Sequence, residues 1–203
     1  MTQRRSVNAR THTTKRAAAA ELAHHGSGYI LTGYLLAAVL LRRRRGPLRR
    51  ADAVSVATVV AIQPFFEWAL HRFVLHAPPR DLAGQRVDPG AAHRGHHRVP
   101  DDVAGALLGG RYAAADGLIV AGLAAAVGRV VAGPAGTITA AAAGQGSLLA
   151  YEWTHLLAHT GYKPRTRWFR RLRAAHLRHH FRDERTNYGV TSRLGDRILG
   201  TAA

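Results

Sequence analysis

Ten of the thirteen histidines in this 203-residue chain fall in four short clusters. The clusters read EWALHRFVLH, HRGHH, YEWTHLLAH and HLRHH, and each lies at the end of an apolar segment or in the polar stretch beside it. Spacings of three and four residues return side chains to one face of an α-helix, so each cluster can direct several imidazoles at one point. The two halves of the chain also echo each other, because His71 precedes His93 by 22 residues and His155 precedes His176 by 21. The pattern predicts a metal site built from helices.

The donor atoms restrict which metals this site can bind. Neutral imidazole suits Zn, Fe, Cu and Ni and is a poor ligand for Mg or Ca. One ion takes about four ligands, so ten histidines suggest two ions with four or five nitrogens each. The chain has no cysteine, which excludes zinc–thiolate sites, iron–sulfur clusters and disulfides. The other three histidines are expected at the surface: His12, His24 and His25.

Two acidic residues lie close to the clusters. Glu67 precedes His71 by four residues, and Glu152 precedes His155 by three. Metal-bound histidines usually donate their second ring N–H to a carboxylate or carbonyl, which fixes the tautomer of the ring. Both glutamates are therefore predicted to support a ligand histidine in this way.

The formal net charge of +17 fits either a nucleic-acid binder or a protein on an anionic membrane face. Long segments rich in Ala, Val, Leu and Gly separate the arginine-rich stretches, and a soluble basic domain has no use for them. Hydropathy therefore favours the membrane, and nucleic acid is not an expected partner.

Four apolar segments are predicted, at residues 28–41, 53–70, 112–131 and 136–158. The first has 14 residues, fewer than the roughly 20 that cross a bilayer core, so it is either a marginal span or a helix that enters and returns. Pro64 should kink the second segment, and a turn at Gly133 should separate the last two. An offset of five places His71 and His76 about 140° apart on a regular helix, so the helix should end or bend between them.

The predicted fold class is an all-α integral membrane protein with about four transmembrane helices and a histidine-rich helical cap. Residues 1–16 are expected to form a disordered basic tail, and residues 17–203 a single domain. If all four segments span, most Lys and Arg residues outside them share one side with the histidines, which places the metal site on the cytoplasmic face. The arginine run 42–50 would lie opposite, a conflict that a re-entrant first segment or contacts with lipid head groups would remove. Interfacial aromatics are expected at the ends of the spans: Trp68, Trp153 and Trp168.

Together with the tail NYGVTSRLGDRILGT, the four clusters resemble the fatty acid hydroxylase/sterol desaturase superfamily over residues 66–201. Within it the chain looks most like the fatty acid 2-hydroxylases, because its third cluster is His-x-x-x-His inside Tyr-acidic-x-x-His. The resemblance implies an integral membrane enzyme with a dinuclear centre of two iron ions, which zinc can replace in the purified protein. It also implies use of O2 and of electrons from a carrier, here a separate cytochrome b5-like or ferredoxin-type protein. The metal ligands that the motifs carry over are His71, His76, His93, His96, His97, His155, His159, His176, His179 and His180.

The function that the resemblance implies is hydroxylation of a lipid or fatty-acyl chain next to its carboxyl carbon. A carotenoid or sterol-type hydroxylase or desaturase would use the same metals on a different lipid. A non-catalytic, zinc-binding membrane protein would use the same histidines without turnover. The residues that contact the substrate are not assigned.

Overall fold

The computed structural model describes residues 12–203, which are mostly helical. The elements are α1 (Lys15–His24), α2 (Gly26–Arg43), α3 (Arg50–Leu70), β1 (Arg80–Leu82), β2 (Gln85–Val87), α4 (Ala91–Arg98), α5 (Gly110–His159), α6 (Arg167–Phe181) and α7 (Leu194–Ile198). A π-helical turn (His71–Leu75) follows α3, and a 3-10 turn (Val103–Ala106) precedes α5. Most of the predicted disordered tail lies outside the described residues, and its last two residues begin α1.

The one departure from an all-helical fold within the described residues is a small antiparallel hairpin of β1 and β2. Its register pairs Arg80 with Val87 and Leu82 with Gln85, so Ala83 and Gly84 form a two-residue turn. Both turn residues have positive φ angles, 48° and 77°, as the tightest hairpin turns require. The polar stretch that contains HRGHH is therefore ordered here as a hairpin followed by α4.

Within residues 12–203, two stretches are long and apolar enough to cross a membrane: Arg50–Leu75, with 26 residues, and Val103–His159, with 57. Only 22% of the most apolar window of the first and 6% of that of the second is buried within the protein. The core helix of a soluble protein would be mostly buried, whereas these helices expose their apolar side chains. They are candidate transmembrane helices.

The longer stretch is folded back on itself. At Gly133 the backbone leaves helical geometry with φ 67° and ψ −166°, next to Pro134. Gln145 donates a hydrogen bond to the carbonyl of Gly117, although the two residues are 28 apart and about 42 Å apart along a straight helix. A Cβ added at Gly144 would lie 2.8 Å from the Cβ of Ala124, so small residues bring the two halves of α5 close together. The turn predicted at this position is confirmed.

The first predicted segment lies in α2, which a break at His25 separates from α1. His25 caps α2, since its Nδ1 accepts a hydrogen bond from the Ser27 backbone N–H at 3.3 Å. Gly28 allows the chain to turn tightly here, because a Cβ at this position would lie 1.7 Å from the Leu22 carbonyl oxygen. The first predicted segment therefore belongs to α2 alone and is not continuous with α1.

The chain divides into two compact units. Among the described residues, one unit contains residues 12–19, 64–107 and 154–203, and the other contains residues 20–63 and 108–153. All ten clustered histidines belong to the first unit.

A buried ion pair holds the α2–α3 connection of the second unit. Arg42 and Asp52 are 7% and 4% exposed, and the Arg42 Nε lies 2.5 Å from Asp52 Oδ1. Thr139 donates a further hydrogen bond to Asp52, and Arg42 also donates to the carbonyls of Gly46 and Pro47 at 2.9 and 3.0 Å. Arg42, one member of the arginine run 42–50, thus stabilises the loop between α2 and α3.

Candidate metal centre

Four helical elements of the first unit supply the clustered histidines. The π-helical turn after α3 places His71 and His76, α4 places His93, His96 and His97, the end of α5 places His155 and His159, and α6 places His176, His179 and His180. Within α4 and α6 the offsets of three and four keep all members on one face, as the sequence predicts. The buried residues of α6 include its three histidines together with Phe169 and Leu172.

The π-helical turn explains how an offset of five can serve one site. In a π-helix the backbone bond runs from residue i+5 to residue i, and the His76 N–H donates to the His71 carbonyl at 3.1 Å. The two rings, which an α-helix would point apart, therefore have centroids 5.1 Å apart. The change in helical geometry predicted between these residues is present, in the form of a π-turn.

Five histidines converge through their Nε2 atoms in a first group. Their donor atoms all lie within 4.8 Å of one another: His71, His76, His93, His97 and His179. The shortest Nε2–Nε2 separations are 2.9 Å between His71 and His93, 3.0 Å between His76 and His179, 3.1 Å between His93 and His97, and 3.2 Å between His76 and His93. All five rings point the same type of nitrogen inward.

A second group has four histidines whose donor atoms meet the same limit: His96, His155, His159 and His180, all buried. His96 and His159 approach Nε2 to Nε2 at 3.1 Å. His176 borders this group, with its Nε2 2.9 Å from that of His159 and its ring centroid 4.6 Å from that of His180. The ten predicted ligands thus form two neighbouring sets, and their role as ligands remains a prediction.

These separations suit a metal ion. With a metal–nitrogen distance of about 2.1 Å, two ligands at a right angle lie about 3.0 Å apart and two at a tetrahedral angle about 3.4 Å apart. The observed 2.9–3.2 Å therefore fits histidines that share one ion. Neither ring nitrogen of buried His180 has a hydrogen-bond partner among the described residues, an arrangement that costs free energy unless a ligand satisfies it. The residues present fit two metal ions.

Backbone carbonyls orient the rings from outside. The Nδ1 atoms of three histidines lie against carbonyl oxygens: His71 against Tyr188 at 2.5 Å, His155 against Ala106 at 2.8 Å, and His179 against Thr186 at 2.7 Å. A carbonyl only accepts, so in each ring Nδ1 carries the proton and Nε2 presents its lone pair inward. This is the tautomer that a metal ligand needs.

One carboxylate in contact with the first group was not predicted. Glu184 places Oε1 3.1 Å from His97 Nδ1 and Oε2 3.8 Å from His76 Nδ1. Glu184 lies beyond the C-terminal end of α6 (Arg167–Phe181), so helical periodicity gave no signal for this contact.

The two glutamates predicted to support histidines have well-defined partners. Glu67 is buried and accepts hydrogen bonds from the backbone N–H groups of Val190 and Thr191 and from the Thr191 hydroxyl. Glu152, in the other unit, is 1% exposed and accepts from the Leu108 N–H at 3.0 Å. Their support of the histidine rings stays a prediction.

The prediction of Trp68 as an interfacial aromatic is wrong. Trp68 is 8% exposed and donates its indole N–H to the Thr201 hydroxyl at 2.8 Å, so it packs beneath the C-terminal tail. Its ring also makes edge contacts with Phe73 and Tyr188. The sequence pattern could not separate these roles, because an aromatic at a helix end suits either.

Electrostatics keep the histidines neutral. Burial, followed by repulsion from neighbouring histidine charges, lowers the pKa of His96 and of His97 to about 3. The same causes, burial first, lower the pKa of His180 still further. Neutral rings at physiological pH are ready to bind metal without first losing a proton.

The fold and the site together define a helical protein with candidate membrane spans and two histidine groups that could hold metal ions. The model of the fatty acid hydroxylase family matches residues 56–201, a region that includes all ten clustered histidines. The chain belongs to the fatty acid hydroxylase family.

Curated relatives agree with this assignment. The chain is 31% identical over 146 residues to the dihydroceramide fatty acyl 2-hydroxylase FAH2 of Arabidopsis thaliana, a match that covers 72% of this chain and 59% of the relative. It is 26% identical to the fatty acid 2-hydroxylase of Macaca fascicularis and 25% identical to that of Homo sapiens, each over 66% of this chain and 36% of the relative. The matched regions thus span between about a third and three fifths of these relatives. No solved structure matches the chain significantly.

Proposed function

We propose that this protein is a membrane-bound dinuclear-metal oxygenase that hydroxylates a lipid acyl chain at the carbon next to the carboxyl carbon. The observation that carries the proposal is the convergence of nine histidines in two adjacent groups, in a chain of the fatty acid hydroxylase family. The relatives named above as 2-hydroxylases support the position of attack and the acyl substrate.

Two iron ions are the proposed cofactors, and zinc would bind to the same nitrogens. The first would be held by His71, His76, His93, His97 and His179, and the second by His96, His155, His159 and His180 with His176 beside them. When bound, the two irons supply the redox chemistry that activates O2. The protein's own contribution is to keep the imidazoles neutral and to fix the orientation of four of them: Tyr188 holds His71, Ala106 holds His155, Thr186 holds His179 and Glu184 holds His97.

The reaction requires a reductant. One oxygen atom enters a C–H bond of the acyl chain to give a hydroxyl group, and the other leaves as water after it takes up two electrons and two protons. We propose that the electrons come from a separate one-electron carrier of the cytochrome b5 or ferredoxin type.

The proposed setting is a bilayer in which α2, α3 and the two halves of α5 form about four spans, and residues 17–203 act as a single domain. The candidate spans of α3 and α5 support this arrangement, and His71 and His155 lie near their C-terminal ends. The positive-inside bias of the Lys and Arg residues supports a metal site on the cytoplasmic face.

The test is incorporation of ¹⁸O from ¹⁸O2 into lipids of cells that express the protein, measured by mass spectrometry. We expect ¹⁸O-labelled 2-hydroxy acyl chains from the wild type and the His24→Ala control, and none from His155→Ala. Label in carotenoids or sterols would replace the acyl substrate with the alternative one. If metal-loaded protein gives no O2-dependent product in the presence of a suitable reductant, the result would support the alternative of a non-catalytic, zinc-binding membrane protein.

A further inference from the structure

The segment 188–191 of the C-terminal tail is held by two buried carboxylates. The N–H groups of Tyr188 and Gly189 donate to Oδ1 and Oδ2 of Asp196, each at 2.8 Å. The next two N–H groups, of Val190 and Thr191, donate to Glu67. Four consecutive peptide N–H groups therefore point at carboxylate oxygens, which fixes the position of this segment against the end of α3.

One peptide group in this segment connects a carboxylate to a candidate metal ligand. The peptide between Tyr188 and Gly189 accepts a hydrogen bond from His71 Nδ1 at 2.5 Å through its carbonyl oxygen. The N–H of the same peptide donates to Asp196 Oδ2 at 2.8 Å. Hydrogen bonds at the two ends of one amide polarise each other, so the carboxylate strengthens the carbonyl as an acceptor.

We propose that Asp196 is a positioning residue for the metal centre and acts on His71 through this single peptide group. Carboxylates often contact metal-bound histidines directly, where they fix the tautomer and raise the basicity of the ligand nitrogen. Here the carboxylate of Asp196 acts on His71 through one intervening peptide group instead of by direct contact. Glu67 fixes the position of the next two residues, Val190 and Thr191. The inference rests on the proposed role of His71 as a ligand.

The glycine at position 189 fits this arrangement. A Cβ added there would lie 1.9 Å from the Ser192 carbonyl oxygen and 2.9 Å from Asp196 Oδ2. Real Cβ atoms do not approach so closely, so a side chain would push the peptide away from the carboxylate. The close approach of the Ser192 carbonyl, with Asp196 beside it, thus accounts for glycine in the Asn-Tyr-Gly-Val sequence.

The second group of histidines provides an internal comparison. His155 Nδ1 lies 2.8 Å from the Ala106 carbonyl, and the N–H of that peptide, on Leu107, donates only to another carbonyl, that of Ala104, at 3.4 Å. No carboxylate is among the partners of this peptide that the described residues provide. The effect of Asp196 should therefore be confined to the first metal site.

The main test uses Co²⁺ as the probe on the full-length, detergent-purified protein, with its visible absorption as the readout. We expect wild type to bind two equivalents of Co²⁺. Asp196→Asn should bind one of the two ions 10- to 100-fold more weakly, the loss typical of removing a group that supports a ligand histidine. The absorption band of that site should also shift. Asp81→Asn, which alters an exposed carboxylate of strand β1, is the control and should match wild type. If both equivalents bind Asp196→Asn with wild-type affinity, the inference is wrong.

Two further measurements separate positioning from general support of the fold. In a His71→Ala background, Asp196→Asn should add less than a twofold further loss of Co²⁺ affinity, because its effect passes through His71. A full additional loss would overturn the proposal.

A wild-type measurement covers the case in which Asp196→Asn does not fold. In zinc-loaded, ¹⁵N-histidine-labelled protein, the Nδ1 proton of His71 should resonate downfield of that of His155, since the stronger acceptor deshields it more. The reverse order would contradict the proposal. Wild type that binds no Co²⁺ would instead refute the metal centre of the proposed function.

Discussion

Replacement of His180 by leucine should change stability in opposite directions with and without metal. His180 is 7% exposed, and neither of its ring nitrogens has a hydrogen-bond partner among the described residues. A buried polar group without a partner costs about 1–3 kcal/mol, and leucine fills a similar volume without that cost. In chelator-treated protein, His180→Leu should therefore raise the unfolding free energy by about 1–3 kcal/mol, or the melting temperature by about 2–4 °C per kcal/mol for a chain of this size.

Bound metal should make wild type more stable than His180→Leu. Ligand binding at 100 times its Kd stabilises a protein by about 2.7 kcal/mol, and a site that lacks one nitrogen forfeits most of this gain. The assay is thermal unfolding in detergent, with and without added Zn²⁺, of wild type, His180→Leu and His24→Leu. His24 is exposed and bonds the Ala20 carbonyl at 2.6 Å, so its variant should keep the full metal-dependent increase. Two results would refute this reasoning: a His180→Leu protein that is less stable than wild type without metal, or one whose stability rises as much as that of wild type when metal is added.

Two other predictions concern acid and the buried ion pair. Because burial lowers the pKa of His96 and His97 to about 3, the unfolded chain binds more protons than the folded one between that pH and about 6.5. The contribution of these histidines to the unfolding free energy should thus be complete above pH 6.5. As the pH drops, it should fall by up to about 1.4 kcal/mol per pH unit for each such histidine, with loss of metal. Unfolding and metal retention at a series of pH values test this, and a flat profile down to pH 4 would contradict it. Asp52→Asn should lower the melting temperature and make the α2–α3 loop more susceptible to protease, because it leaves Arg42 without its charged partner; Asp81→Asn, in the exposed strand β1, is the control and should match wild type.

The sequence predicted the parts of the site that depend on periodicity. Offsets of three and four in α4 and α6 required shared helix faces, and the offset of five between His71 and His76 required an irregular helix. The turn at Gly133 also followed from local chemistry, since Gly-Pro ends a helix.

The supports of the site were less predictable. Tyr188, Ala106 and Thr186 hold histidine rings with backbone carbonyls, and every residue has one, so no residue type marks these positions. Glu67 was noted for its spacing to His71, but its bonds to the tail depend on a contact across 123 residues of sequence. Such long-range pairing leaves no periodic signal in a single chain.

The measurement that tests the central claim most directly is the metal content per chain of detergent-purified protein, wild type beside His179→Ala and His24→Ala. With two groups of histidines, each sufficient for one ion, we expect about two iron or zinc ions per chain in wild type and in His24→Ala. His179→Ala should lose a large part of this metal, because its Nε2 is 3.0 Å from that of His76 within the first group. Wild type without bound metal at neutral pH, or a His179→Ala variant with full metal content, would contradict the account.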